Sequence, residues 1–227
     1  MRLPFLKNKA ARNSDKELLA AAIGNQRSFA SAEAYKRLRT NVFFSFSDGK
    51  KSRVIGVTSS MAHEGKSTTA INLAYDIMKA GKRVLLIDAD MRLSRVAKIL
   101  ELRRSPGLSN MLAGTGNGEN VIQRSPVQDQ LPVITCGDLL PNPTELLSSR
   151  RMEVMLETLK ETYEYIIIDL PPVTEVADAL IVSRLTDGIV VVVRQDYADR
   201  RLLNDTIQQL RRSEANILGF VMTCGRN

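Results

Sequence analysis

A doubly wound α/β fold, a mainly parallel sheet with helices on both faces, is what this sequence predicts, on three observations. Six short runs rich in Val and Ile, "RVIGVTS", "RVLLIDAD", "LPVITC", "YIIIDLPP", "GIVVVVR" and "ILGFVMT", are apolar without polar alternation, the pattern of strands covered on both faces. Helical patterns separate them, and strand, helix, strand in repetition builds a parallel sheet through right-handed crossovers. Finally, "SSMAHEGKST" joins the first run to a helix through a loop of glycine, lysine and hydroxyls, the setting of a phosphate-binding loop.

Composition bounds the answer. At 227 residues the chain is long enough for one well-buried domain, or for one domain with an arm. It is 44% hydrophobic, with no apolar run near the roughly 18 to 20 residues of a membrane span, so it reads as soluble and cytoplasmic. Cys136 and Cys224 lack CxxC or Cys/His spacing, which leaves out a zinc site and a disulfide framework. The net charge of +7 raises nucleic acid as a partner. However, the basic residues are scattered, aromatics are 5% and tryptophan is absent, so no base-stacking platform is present and no nucleic-acid partner is expected.

Residues 1–30 show weak periodicity and read as a basic mobile arm, with a short helix over Lys16 to Ile23. Arg2, Lys7, Lys9, Arg12, Lys16 and Arg27, against only Asp15 and Glu17, would draw it to an anionic inner membrane leaflet or an acidic partner. The P-loop domain is expected over residues 31–227. Ser31 is its expected first N-cap, opening a helix through Tyr35, Leu38 and Val42. A strand over 53–58 reaches the loop, and "STTAINLAYDIMKAGK" forms an amphipathic helix that stops near Gly81, where glycine suits a helix end. Further helices are expected in "SSRRMEVMLETLKETY", "DALIVSRL" and "RRLLNDTIQQLRRS", each between two strand runs.

Ligands of such sheets sit at the carboxyl ends of the strands, and the candidate chemistry is concentrated there. In the loop His63, Glu64, Gly65, Lys66, Ser67 and Thr68, backbone N–H groups around Glu64 to Ser67 would cradle phosphates at a helix start. Lys66 would reach the β and γ phosphates of ATP, and the Ser67 hydroxyl would take a place on Mg²⁺. The competing reading makes Gly65 a turn residue and Lys66 a solvated lysine, and Ser60 stands where the usual pattern has glycine. Asp88 closes one strand with Asp90 just past it, and Asp169 closes another. Singly these acids could be helix caps. Together, beside the loop, they are better explained as a metal and water shell.

As a set, "SSMAHEGKST", "VLLIDADMR" and "IIIDLPP" resemble the Walker A, Walker A′ and Walker B motifs of the bacterial protein tyrosine kinases of capsule and exopolysaccharide systems, a branch of the Mrp/Min-type P-loop ATPases. "GDLLPNPTELLSSRR" (137–151) and "EAYKRLRTN" (33–41) resemble two further segments of that family, the second its assembly helix. The resemblance spans about residues 30 to 223. It implies a P-loop NTPase fold and transfer of phosphate from ATP to protein tyrosine. Lys66 and Ser67 would bind phosphate and Mg²⁺, and Asp88 and Asp90 would place the metal or take the tyrosine proton. Asp169 would hold metal-bound water. Partners implied are a membrane-bound activator of the polysaccharide chain-length type, protein substrates bearing tyrosine, and further copies of the chain, joined through Glu33, Lys36 and Arg39. The chain would thus sit peripherally at the inner membrane surface through a partner. On a helix those three positions lie about one turn apart, as a polar stripe that could equally be a solvated face.

The sequence departs from the family in several places. Lys36 stands where arginine is usual, giving a point charge in place of a fork, and weaker assembly is the expectation. His63 stands where glycine is common, and histidine is among the residues enriched at positive φ. Thr223 stands where relatives often place an asparagine near the adenine. Tyr35, Tyr75, Tyr163, Tyr165 and Tyr197 are dispersed rather than clustered in a tail, so phosphorylation is expected mainly in trans, with Tyr197 a minor internal site. The alternative is a nucleotide-switched ATPase of the Min/Par kind without kinase activity. Those proteins carry an early lysine in the loop, and Met61 and its neighbours offer none. A pure binding module of the same fold is a third reading.

Overall fold

The computed structural model of the chain describes residues 23–24, 27–115 and 120–224. Helix α1 (Phe29–Phe44) leads into β1 (Arg53–Ser59), α2 (Lys66–Lys79) and β2 (Val84–Asp88). Two short helices, α3 (Val96–Ile99) and α4 (Leu108–Ala113), precede β3 (Ile122–Arg124) and β4 (Pro132–Ile134). Then come α5 (Pro143–Leu147), α6 (Arg150–Thr162), β5 (Tyr165–Asp169), α7 (Asp178–Ser183), β6 (Gly188–Arg194), α8 (Arg200–Arg212) and β7 (Ile217–Thr223). The strands lie in the order β3-β4-β2-β5-β1-β6-β7. All neighbours run parallel except β3 and β4.

Layering explains the apolar runs. In β5, Ile166 and Ile168 face one core with Val54, Leu85, Ile87 and Leu156, while Ile167 faces the other with Ile55, Val57, Ile71 and Leu86. All of these are at most 2% exposed, so successive residues are buried on opposite faces and no polar alternation survives. The edges depart from expectation. Strand β7 has a neighbour on one side only, and its Phe220 and Met222 face solvent. Strand β3 was not foreseen; it is three residues long and mostly exposed, and is added antiparallel to β4.

The start of the domain is also corrected. Ser28, not Ser31, caps α1, its Oγ accepting from Ser31 N at 3.3 Å. Within the stretch read as a mobile arm, Gly24 N donates to Asn72 Oδ1 at 3.0 Å, and Arg27 grips Asp76 with two hydrogen bonds of 2.7 and 3.0 Å. Those two side chains are only 4% and 6% exposed, and the Arg27 guanidinium lies over the rings of Tyr35 and Tyr75. Ile23, Gly24 and Arg27 therefore belong to the packed domain. Residues 28–30 of that stretch cap and open α1, while 1–22, 25 and 26, with the helix expected from Lys16, lie outside the described residues, Ile23 itself being a bend. Helix α2 ends as expected, with Gly81 at φ +81 and its N–H donating to Met78 O at 2.9 Å.

Candidate active site

Strands β1, β5 and β2 end side by side. Val57 is in register with Asp169, and Asp169 with Asp88, so two acids from neighbouring strands open onto the edge from which the loop 60–65 departs. That loop is folded around a buried carboxylate. Glu64 Oε2 accepts from Ser60 Oγ at 2.9 Å and from Met61 N at 2.8 Å, and Oε1 accepts from Arg194 N at 3.4 Å. Ser60 fits where glycine is usual because its side chain turns inward onto Glu64. Gly65 has φ +94, and a Cβ there would stand 3.3 Å from Cγ2 of Thr223, whose hydroxyl donates to Glu64 O at 2.7 Å. Thr223 is thus committed to bracing the loop.

His63 sits at φ +64. Its Nδ1 lies 3.2 Å from Arg95 Nη2, and because arginine only donates, Nδ1 is the acceptor and the ring proton is on Nε2. Its carbonyl accepts from Arg194 Nη1 at 3.2 Å. Thr174 Oγ1 donates to Ser60 O at 2.6 Å, and Glu175 accepts from Ala62 N at 3.1 Å, so the segment after β5 braces the same loop.

Lys66 opens α2 and points into the acids. Its Nζ is 2.6 Å from Asp90 Oδ2 and 4.0 Å from Asp169 Oδ1. Burial works against its charge, but Asp169, Asp90 and Asp88 more than offset this and hold its pKa above the ordinary lysine range. Asp88 Oδ2 accepts from Ser94 Oγ at 2.5 Å and Oδ1 from Asp90 N at 3.2 Å. Burial, reinforced by the charge of Asp169, pushes Asp88 up to about 8. Burial also raises Asp169 to about 6, against the pull of Lys66. Thr68 follows on α2, half-buried.

Sequence reasoning missed three participants: Glu64 as the loop's inner acceptor, and Asp178 with Thr144. Asp178 is fully buried at the start of α7, accepting from Arg92 Nε at 3.1 Å and from Thr144 Oγ1 at 2.6 Å. Arg92 Nη2 also donates to Thr144 at 3.1 Å, tying the segment after Asp90 to α5 and α7. The signal available was Thr144 itself, in the middle of "PNPTELL".

Among the described residues no three His, Cys, Asp or Glu side chains converge as a cation cage, so a metal at Ser67, Asp88 and Asp169 would draw its remaining ligands from water and phosphate. Both oxygens of Asp88 are engaged. Asp169 is fully buried with neither oxygen accepting a hydrogen bond, its nearest cation being the Lys66 ammonium at 4.0 Å, and Ser67 stands beside it. A buried carboxylate that accepts no hydrogen bond, with its nearest cation at 4.0 Å, has room for a further partner. A hydroxyl and one free carboxylate fit Mg²⁺, which retains waters and uses few protein ligands beside phosphate.

A family model described as an AAA domain matches residues 52–219. The tyrosine-protein kinase CpsD of Streptococcus pneumoniae serotype 4 is 37% identical over 191 residues, 84% of this chain and 82% of that protein. The tyrosine-protein kinase YwqD of Bacillus subtilis is 36% identical over 191 residues, 84% of this chain and 80% of its own. Among solved structures, the kinase domain of Escherichia coli tyrosine kinase ETK matches with a TM-score of 0.83 at 29% identity, covering 92% of this chain and 82% of that one.

Proposed function

The chain belongs to the bacterial tyrosine-protein kinases, within the AAA-domain family of P-loop proteins, and from that membership we propose that it moves the γ-phosphoryl group of ATP onto tyrosine hydroxyls of partner proteins in capsule or exopolysaccharide systems. The observation that carries this reading is the Lys66 ammonium held among Asp88, Asp90 and Asp169 beside a phosphate loop.

Phosphoryl transfer asks mostly for positioning and charge neutralisation. Lys66 keeps its positive charge in the buried site and needs only to swing from Asp90 to meet phosphate oxygens. Backbone N–H groups at the start of α2 add donors and the positive end of the helix dipole. Asp88 is the proposed acceptor of the incoming tyrosine's proton, a role that needs its carboxylate ionised; burial opposes this and the positive charge of a bound metal would favour it. Ser94 and the backbone of Asp90 hold that carboxylate in place. Mg²⁺, held by Ser67 with Asp169 at its waters, would neutralise charge on the transferring phosphate. The Arg92, Asp178 and Thr144 network fixes the segment that carries Asp90.

Tyr197 is 43% exposed in the loop after β6, whereas Tyr35, Tyr75, Tyr163 and Tyr165 are partly or wholly buried, which supports trans phosphorylation as the main activity. A membrane-bound activator and a homo-oligomer through Glu33, Lys36 and Arg39 complete the proposal. The structure qualifies that stripe. Glu33 and Lys36 pair with each other at 2.7 Å, and Arg39 turns inward to Asp76 O at 3.2 Å with its buried Nε unpaired. No observation at Met61, whose N–H is tied to Glu64, favours the Min/Par reading. Mass spectrometry for phosphotyrosine, after incubating the chain with ATP, Mg²⁺ and an activator fragment, tests the proposal. Phosphotyrosine on an added substrate, absent with Lys66→Met, is the expected result.

A further inference from the structure

At the sheet edge opposite the phosphate loop, the starts of β1, β2 and β5 and the last turn of α1 enclose a cavity of about 400 Å³. Its floor is aromatic. Phe43 and Tyr165 lie with ring centroids 5.0 Å apart, and the Arg53 guanidinium sits 4.3 Å from the centroid of Phe46. Its rim is cationic, with Lys50, Lys51, Arg53, Lys82 and Arg83 against Glu164.

Acids neutralise only part of this charge. Arg53 is buried and pairs with Asp48 and Asp187, Lys50 reaches Asp187 at 3.0 Å, and Lys82 and Arg83 share Glu164 at 3.0 and 3.7 Å. Three acids thus face five cations, an excess of two positive charges. Arg53 is wall. The heads of Lys50, Lys82 and Arg83 are 61%, 44% and 67% exposed, and Lys51 is exposed beside them. Phe44, adjoining the lining residue Phe43 on α1, is 83% exposed.

We propose that this edge docks on an anionic phospholipid bilayer, a headgroup phosphate entering the cationic groove while Phe44 seats among the headgroups. Exposed cations together with an exposed aromatic ring one residue from the lining offer the two kinds of contact that a bilayer interface rewards. The cations stand on two separate segments, 50–53 and 82–83, spread across an open edge, which suits a surface of many phosphates better than one free phosphate. An acidic peptide would answer the charge but leave Phe44 without a role. No helix among the described residues is long and apolar enough to cross a membrane, so contact through this edge is peripheral. Strand β1 is about 20 Å long at 3.3 Å per residue, so docking here leaves the phosphate loop facing away from the bilayer. The inference is independent of the kinase reading.

The test is co-sedimentation of the full chain with vesicles of phosphatidylcholine alone or mixed with phosphatidylglycerol. Lys51→Glu with Arg83→Glu, and separately Phe44→Ser, are compared with the parent, the basic N-terminal stretch being common to all. Binding to the mixed vesicles alone is expected, lowered about tenfold or more by the double charge reversal and about threefold by Phe44→Ser. Nucleotide affinity, unchanged in all variants, reports that they are folded. Binding by the double variant within about twofold of the parent overturns the proposal. So does a Phe44→Ser chain that binds like the parent, which marks a charge-only site of the acidic-peptide kind, and so does displacement by millimolar inorganic phosphate.

Discussion

Lys66 Nζ lies 2.6 Å from Asp90 Oδ2, so the cation assigned to phosphate is already held by a carboxylate. Lys66→Met removes the phosphate contact and strands three buried acids. Mg-ATP affinity in calorimetry is expected to fall about 100-fold or more, with a loss of nucleotide-free stability at neutral pH on the order of 3 kcal/mol. Unaltered affinity would refute the phosphate-loop assignment.

Asp88→Asn and Asp169→Asn are expected to fold and to lower tyrosine phosphorylation by about two to four orders of magnitude, as for loss of a proton acceptor or of metal placement. Circular dichroism and single-turnover rates check both halves. Parent-like rates in both variants would reduce the acids to end caps of their strands.

The same acids set a pH dependence of stability. Asp88 and Asp169 are raised to about 8 and about 6 from 3.8, chiefly by burial, so between those values the folded chain binds protons that the unfolded chain has released. This contribution is complete below 3.8 and is lost as pH rises through 6 and then 8. The nucleotide-free Tm is therefore expected to decline from pH 5 to 9. Asp88→Asn should flatten the upper part of the decline by several degrees, at about 2–4 °C per kcal/mol for a chain of this size. Ser94 can turn its hydroxyl to accept from the new amide while Oδ1 keeps the Asp90 N–H. A level Tm in the parent across that range contradicts the account.

Arg27→Ala should destabilise by about 3 kcal/mol, because it leaves Asp76 buried without its cation. Denaturant midpoints check the loss, and phosphorylation well below Tm should stay at the parent rate, since this pair lies on the flank of α2 and away from Lys66. A change under about 0.5 kcal/mol would mean that Asp76 rehydrates freely.

Assembly gives the last expectation. Glu33 and Lys36 must exchange their mutual pair for contacts with another copy, and Arg39, whose unpaired Nε is buried, must turn outward from Asp76 O to join them. In sedimentation velocity with ATP and an activator fragment, the parent is expected to form oligomers and Glu33→Ala with Arg39→Ala to shift toward monomer. A monomeric parent at high concentration rules this out.

Much of the fold was legible because β1, β2, β5 and β6 are buried on both faces, which forces runs of Val and Ile that no helix of ordinary amphipathicity shares. Strand β3 was not, since "IQR" is short and exposed and earns its strand geometry only by pairing with β4. The packed place of Arg27 was hidden for a related reason: its partner Asp76 lies 49 positions away, so the segment reads as a charged tail. At the site, Lys66, Asp88 and Asp169 were visible as residues that end or follow apolar runs. Glu64 was named there for its backbone, but its inward-turned side chain and the place of Asp178 were not foreseen, because the spacing of a carboxylate does not reveal whether it points into a loop or out to water.

The brace between Thr223 and Glu64 joins positions 159 apart in the chain. A ribosome adds roughly 5–20 residues per second, so the loop waits about 8–30 seconds after its own synthesis for the strand that steadies it. Strand β1 likewise emerges long before β5 and β6, and has both edges open until they arrive. Holding nucleotide thus waits on β7, and a product terminated before that strand presents an unpaired strand to its neighbours rather than a partly working enzyme.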